Sequence, residues 1–238
     1  MIEPTIRILS TRPLEPRLLD QAAQKGIRID ALSFIDTEPI RDTTLTHQVQ
    51  QLGERSLTAV FTSMNAVEAV AGCQATLEGL SPRWQIFCIG AATRRQIEAN
   101  FGAPSIAGTA SSAAALAGVI LEHHPDEVFF FCGDRRREEL PEKLTAAGVR
   151  VHELVVYKTT QTPQRIEDVY DGIVFFSPSA VHSFFSMNGT TEKTILFAIG
   201  TTTADTIRTY ANNPVVTSAS PEKEALIRQL IDYYQKNI

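Results

Sequence analysis

The stretch "AVFTSMNAVEAV" (59–70) is answered later in the chain by "IVFFSPSAVHSF" (173–184). Val60 and Val174, Phe61 and Phe175, Ser63 and Ser177, Ala66 and Ala180, and Val67 and Val181 recur in register. Each copy reads as an apolar, strand-forming run that stops at a hydroxyl-bearing turn and continues as a helix. Two further pairs extend the match. "IFCIGAATRRQIEANFGAPSI" (86–106) lines up with "LFAIGTTTADTIRTYANNPVV" (196–216), and "KGIRIDALSFIDT" (25–37) with "AGVRVHELVVYKT" (147–159). Offsets lie between about 110 and 122 residues. The chain therefore reads as a duplicated α/β unit, with halves near 1–121 and 126–238.

Strands are expected at 6–10, 28–34, 59–62, 86–89, 128–132, 150–156, 172–176 and 194–199, with weaker ones near 104–106 and 214–216. Helices are expected at 16–25, 65–71, 92–99, 112–123, 137–147, 180–187, 203–211 and 221–235. Strand–helix alternation of this kind implies parallel sheets covered on both faces. Two polar, proline-containing stretches, "DTEPIRD" (36–42) and "KTTQTP" (158–163), read as linkers. They leave two arrangements open: two sequential domains, or one domain shared by the N- and C-terminal parts.

Of the 238 residues, 43% are hydrophobic and 21% charged, an ordinary globular balance. No apolar run is long enough for a membrane span. Met1-Ile2-Glu3-Pro4 lacks a signal-peptide layout, so a cytoplasmic location is expected. A net charge of −5 disfavours nucleic acid but leaves room for an anionic small molecule in a locally positive site. Cys73, Cys88 and Cys132 are too widely spaced for a zinc site and read as reduced thiols; no metal is expected. No GxGxxG, GxxxxGK[ST] or GxSxG occurs, which argues against dinucleotide, P-loop and hydrolase-elbow chemistry.

Ligands of open α/β sheets bind beyond the carboxyl ends of strands, where helix N-termini favour anions. Four turns fit that position: 62–65, 90–93, 177–180 and 200–203. N-capping alone would explain any one of them. The duplication supplies a control: polar strand-end residues that differ between halves are the better candidates for function. Tyr157 replaces Ile35, and Thr202 replaces Ala92. Thr203 is echoed by Thr93 and is expected to be a shared helix cap. Arg12 and the run Arg135-Arg136-Arg137 supply cations near strand ends, with pairing to Glu138 and Glu139 the alternative for at least one of the three.

In order along the chain, "TRP", "VFTSMNAV", "CGDRRREELP", "VYKT", "FFSPSAV" and "AIGTTTA" resemble the uroporphyrinogen-III synthase family over nearly the whole length. The resemblance implies two similar α/β domains, each a parallel sheet flanked by helices, joined by a two-stranded linker with a cleft between them. One domain would combine 1–37 with 161–238, the other would be 42–156, and 38–41 and 157–160 would be the linkers. It implies a cofactor-free, metal-free hydro-lyase acting on hydroxymethylbilane, a linear tetrapyrrole octacarboxylate. Loss of water and inversion of the last pyrrole ring, through a spiro intermediate, would close the macrocycle. By motif, Tyr157 corresponds to the tyrosine that assists departure of the hydroxyl. Ser63, Ser177, Ser179, Thr202 and Thr203 correspond to substrate-contacting turns, and Arg12 and Arg137 to basic positions. Met64-Asn65 and Thr201 depart from the family, where a proline with a basic residue and a proline are often found. A monomer with no nucleic-acid or membrane partner is expected. The competing readings are a non-catalytic two-lobed binder of small anions and a two-domain glycosyl transferase, the latter disfavoured by the missing glycine loop and acidic pair.

Overall fold

The computed structural model describes residues 6–74 and 83–236, so the Met1–Pro4 segment lies outside the described residues. The elements run β1 (Ile6–Ser10), α1 (Pro16–Ala23), β2 (Ile27–Ala31), β3 (Ile35–Pro39), α2 (Thr43–Gly53), β4 (Leu57–Phe61) and α3 (Met64–Gln74). Next in chain order come β5 (Trp84–Ile89), α4 (Ala91–Phe101), β6 (Ile106–Ala110), α5 (Ala113–Leu121), β7 (Glu127–Gly133), α6 (Glu139–Ala146) and β8 (Arg150–Gln161). The chain ends with β9 (Gly172–Phe175), α7 (Pro178–Phe185), β10 (Ile195–Ala198), α8 (Thr201–Arg208), β11 (Val215–Thr217) and α9 (Lys223–Lys236).

Two compact units result. The first joins Met1–Asp36 to Thr160–Ile238, and the second is Thr37–Thr159. The chain passes between units inside β3 and inside β8, neighbours at one edge of the second unit's sheet. Ile40 N donates to Val156 O, and Thr162 N to Phe34 O. The stretches that read as irregular linkers are thus largely strand. Ile35-Asp36-Thr37-Glu38-Pro39 carries too many polar residues to resemble a core strand, but an edge strand needs only one ladder and tolerates proline at its end. Helix α2 is also absent from the expected set. Threonines crowd its first turn, yet Asp42 caps it by accepting from Leu45 N at 3.0 Å, and Val49 and Leu52 bury its apolar side. Residues 103–105, near which a weak strand is expected, form a 3-10 turn, and β6 follows it.

The first unit's sheet has the order β11-β10-β9-β1-β2 and the second's β3-β8-β7-β4-β5-β6. Pairs β1/β2, β1/β9, β9/β10 and β10/β11 are parallel, as are β4/β5, β4/β7, β5/β6 and β7/β8. Setting β4 against β9 makes the two sheets the same structure started at different points in the chain. β5 then corresponds to β10, β6 to β11, β7 to β1 and β8 to β2. The repeats seen in the sequence follow this correspondence. In each sheet the strand order reverses at one place, between β4 and β7 in the second unit and between β9 and β1 in the first. That is where open α/β sheets bind ligands.

In the second unit, the core behind this point is aromatic. Phe61 stacks on Phe131 at 5.1 Å and Trp84 on Phe131 at 5.4 Å, and Trp84 Nε1 donates to Leu52 O at 3.0 Å. Burial of each ring contributes roughly 2–3 kcal/mol, which holds the ends of β4 and β7 in place. In the first unit, Ile8, Phe197, Leu226, Ile227 and Leu230 fill one side of the sheet and Leu9, Phe175, Phe184 and Ile207 the other.

Candidate active site

At the strand-order reversal of the second unit, Ser63 follows β4, Gly133 ends β7, and Tyr157 lies opposite Gly133 within β8, a strand that runs on past the expected end at 156. Ser63 directly precedes α3. Its Oγ accepts from Asn65 N at 3.1 Å, and its hydroxyl is near enough to Tyr157 to act on the phenol's titration. Tyr157 owes its position to a slip in the β7/β8 register. Phe131 pairs with Leu154 and Cys132 with Val155, but Gly133 pairs with Tyr157, leaving Val156 as an extra residue. Strict alternation would send Tyr157 to the face opposite Val156. The bulge instead turns both residues toward the Phe61–Phe131 cluster, and Tyr157 packs on it half-buried. Burial raises the phenol's pKa, and the Ser63 hydroxyl opposes the rise. Tyr157 therefore stands as a protonated donor at neutral pH. Asp134 N donates to Tyr157 O at 3.1 Å, and the Asp134 carboxylate accepts from Thr159 N at 2.8 Å, so the backbone on either side of Tyr157 is tied to the end of β7.

Cys132, one residue before Gly133, is no nucleophile. Burial pushes its thiol up to about 12, and its Sγ lies 3.6 Å from Leu154 O. Of the arginine run, Arg136 is committed to Glu138 and Glu153. Arg137 is exposed in the loop before α6, as is Arg135.

At the reversal point of the first unit, Arg12 follows β1 and Phe176 follows β9. The Arg12 guanidinium lies over the Phe176 ring, 5.6 Å from its centroid. Burial lowers its pKa, with Glu15 opposing from a distance. Glu15 itself is paired with Lys223 at 2.6 Å, and Arg12 has no ion-pair partner among the described residues. A half-buried cation without a carboxylate is poised for an external anion. Beside it, Ser177 caps α7, its Oγ accepting from Ala180 N at 3.2 Å, and Pro178 takes the first helical position. Ser179 is half-buried in the first turn.

The next strand end, that of β10, carries the three threonines. Helix α8 begins at Thr201, two residues earlier than expected, with Gly200 as an N-cap that has no side chain to offer. Thr201 and Thr202 are exposed on the first turn. The earlier start rotates Thr203 inward: it is fully buried, and its Oγ1 has no hydrogen-bond partner. The expectation that Thr203 caps the helix is corrected, since Gly200 is the N-cap. Thr93, its counterpart in α4, is likewise buried behind a glycine N-cap. An unpaired buried hydroxyl costs stability, so Thr203→Val, which keeps the shape, is expected to stabilise by about 1 kcal/mol and raise Tm by about 2–4 °C. Turnover should be unchanged. Thermal unfolding and a steady-state assay check this, and a lost activity would return Thr203 to the site.

Two surface concavities lie away from these residues. A groove of about 590 Å³ between α2 and α3 is lined by Arg41, His47, Gln50, Glu68 and Cys73 among others. Another, at the opposite, N-terminal edge of the second sheet, is lined by Arg83, Glu127 and Arg150. Neither includes Tyr157, Ser63 or Arg12.

The fold and these strand ends define a protein of two permuted, doubly wound α/β units. Each unit presents hydroxyls at its strand-order reversal, joined in one by a protonated phenol and in the other by an unpaired arginine. Residues 17–228 match the family model "Uroporphyrinogen-III synthase HemD", and the chain belongs to that family. A curated uroporphyrinogen-III synthase of Schizosaccharomyces pombe is 29% identical over 125 residues, which cover 49% of this chain and 47% of the relative. The chain thus matches about half the length of that relative. Among solved structures, a mutant uroporphyrinogen III synthase of Thermus thermophilus matches with a TM-score of 0.65 at 17% identity, covering 98% of this chain and 100% of that one. The uroporphyrinogen-III synthetase of Helicobacter pylori 26695 matches with a TM-score of 0.63 at 14% identity, covering 96% and 100%. These likenesses carry the two-sheet α/β fold.

Proposed function

We propose that the chain is a cyclising hydro-lyase that converts hydroxymethylbilane to uroporphyrinogen III. The observation that carries this reading is the half-buried Tyr157 phenol, set against Gly133 by the β7/β8 register slip beside the reversal point of the second unit. Tyr157, held protonated, donates its hydrogen bond to the terminal hydroxyl as that group leaves as water. The electrophilic carbon so formed is attacked by the substituted carbon of the last ring, giving the spiro intermediate. That carbon's bond to the older methylene bridge then breaks, and the bridge rebonds to the ring's unsubstituted carbon, which loses its proton, leaving the ring inverted. Closure without inversion needs no catalyst, so the protein's task is largely to hold the chain in the conformation that leads to attack at that carbon.

Each unit offers donors for carboxylates: the exposed Arg137 in the second, and in the first Arg12 as a cation and the turns at Ser177, Ser179 and Thr202 with the free N–H groups of their helix starts. The reading requires no cofactor or metal. It takes the protein as a cytoplasmic monomer without nucleic-acid or membrane partners. The net charge of −5 and the absence, among the described residues, of a helix long and apolar enough to cross a membrane support that part of the reading.

The test is to incubate the protein with freshly made hydroxymethylbilane and resolve the isomers of the product. Uroporphyrinogen III in excess is expected. Isomer I alone, at the spontaneous rate, would leave only the binding of small anions.

A further inference from the structure

We infer that Gly133 is a positioning residue for Tyr157: the missing side chain at the end of β7 is the space in which the phenol ring sits. A Cβ built on Gly133 would lie 2.4 Å from Tyr157 Cζ, 2.6 Å from Cε2 and 2.8 Å from the hydroxyl oxygen. Carbon atoms in van der Waals contact stand about 3.5–4 Å apart, so even a methyl group and the present ring position exclude each other. Gly133 is buried, and its backbone is not in the left-handed region that favours glycine. Room for the ring, not backbone freedom, is what the position requires.

The neighbouring geometry serves the same end. The register slip after Cys132 places Tyr157 directly opposite Gly133. Ser63, which follows the strand on the other side of β7, lies near enough to the hydroxyl to act on its titration. Bulge and glycine thus fix the ring's face and depth respectively. An alanine at 133 leaves the ring one way out. Since Tyr157 is half-buried, the ring can swing toward solvent with little disturbance of the core, withdrawing the phenol from its working position.

This inference rests on the role given to Tyr157 under the proposed function. Its test uses four forms of the full chain: wild type, Gly133→Ala, Tyr157→Phe and the double variant. Gly133→Ala is expected to lower kcat at least about tenfold with KM little changed, and the double variant to be no slower than Tyr157→Phe, because both changes remove the same hydroxyl contribution. Labelling with 3-fluorotyrosine gives one ¹⁹F resonance for each of the five tyrosines, and the one missing from Tyr157→Phe belongs to Tyr157. In Gly133→Ala that resonance should move toward the position of the unfolded chain while the other four stay.

An unmoved resonance overturns the inference, as does a Gly133→Ala defect that recurs in full on the Tyr157→Phe background. If Tyr157→Phe is slow but Gly133→Ala is normal, the inference alone fails. If Tyr157→Phe turns over like wild type, the mechanism proposed for Tyr157 fails, and the role of Gly133 with it.

Discussion

Tyr157→Phe is expected to lower kcat by about a hundredfold, the usual contribution of a positioned proton donor, and to leave the fold intact. The phenylalanine ring keeps the packing against the Phe61–Phe131 cluster and loses only the hydroxyl. Loss of one half-buried hydroxyl is worth about 1 kcal/mol, so Tm should fall by no more than about 2–4 °C. The pH profile adds a second check. Burial raises the phenol's pKa above its ordinary value of 10.0. Around neutral pH the donor form is therefore fully present, and the wild-type rate should show no basic limb there that depends on Tyr157. A limb near neutral pH that vanishes in Tyr157→Phe would mean that the phenolate, not the phenol, is the working form. Stability follows the same sign: the raised pKa contributes nothing below the unfolded value and costs stability as pH rises from there toward the folded value.

Arg12→Gln should act on binding and spare the fold. The guanidinium has no carboxylate to lose among the described residues, and its burial already disfavours the cation. Removing it costs no ion pair, and Tm is expected to stay level or rise slightly. A hydrogen bond from a charged donor to a carboxylate contributes about 1.5–3 kcal/mol, so KM should rise roughly tenfold to a hundredfold with kcat nearly unchanged. The salt dependence of KM should weaken in parallel, since one screened attraction is gone. A variant with normal KM and a lowered Tm would make Arg12 a structural residue that covers Phe176.

The repeats between 59–70 and 173–184 suffice to read a duplicated parallel α/β unit, because strands buried on both faces and the turns that end them leave strong, local signals. The family resemblance implies the permutation, but the residues alone leave it as one of two open arrangements, because it depends on where the chain enters and leaves each sheet. That in turn depends on β3, a polar edge strand that resembles a linker. Ser63, Tyr157 and Arg12 are legible as chemistry-bearing residues at strand ends. Their environments are not. The setting of Tyr157 against Gly133 depends on a one-residue slip against β7, and the isolation of Arg12 on Glu15 being held by Lys223. Thr203 departs from its expected role because Gly200, extended and without a side chain, starts α8 early enough to turn that threonine inward. Gly133 stands unremarked within "CGDRRREEL"; a glycine closing an apolar strand signals a close approach, but only the structure names Tyr157 as what approaches.

The most direct test is a crystal structure with uroporphyrinogen III bound. The macrocycle should lie with Tyr157 Oη within about 3.2 Å of one of its polar atoms or bridged to it by one water. A carboxylate should be held by the exposed Arg137 of the same unit. A macrocycle seated elsewhere, such as in the groove between α2 and α3, with Tyr157 untouched, would contradict the account.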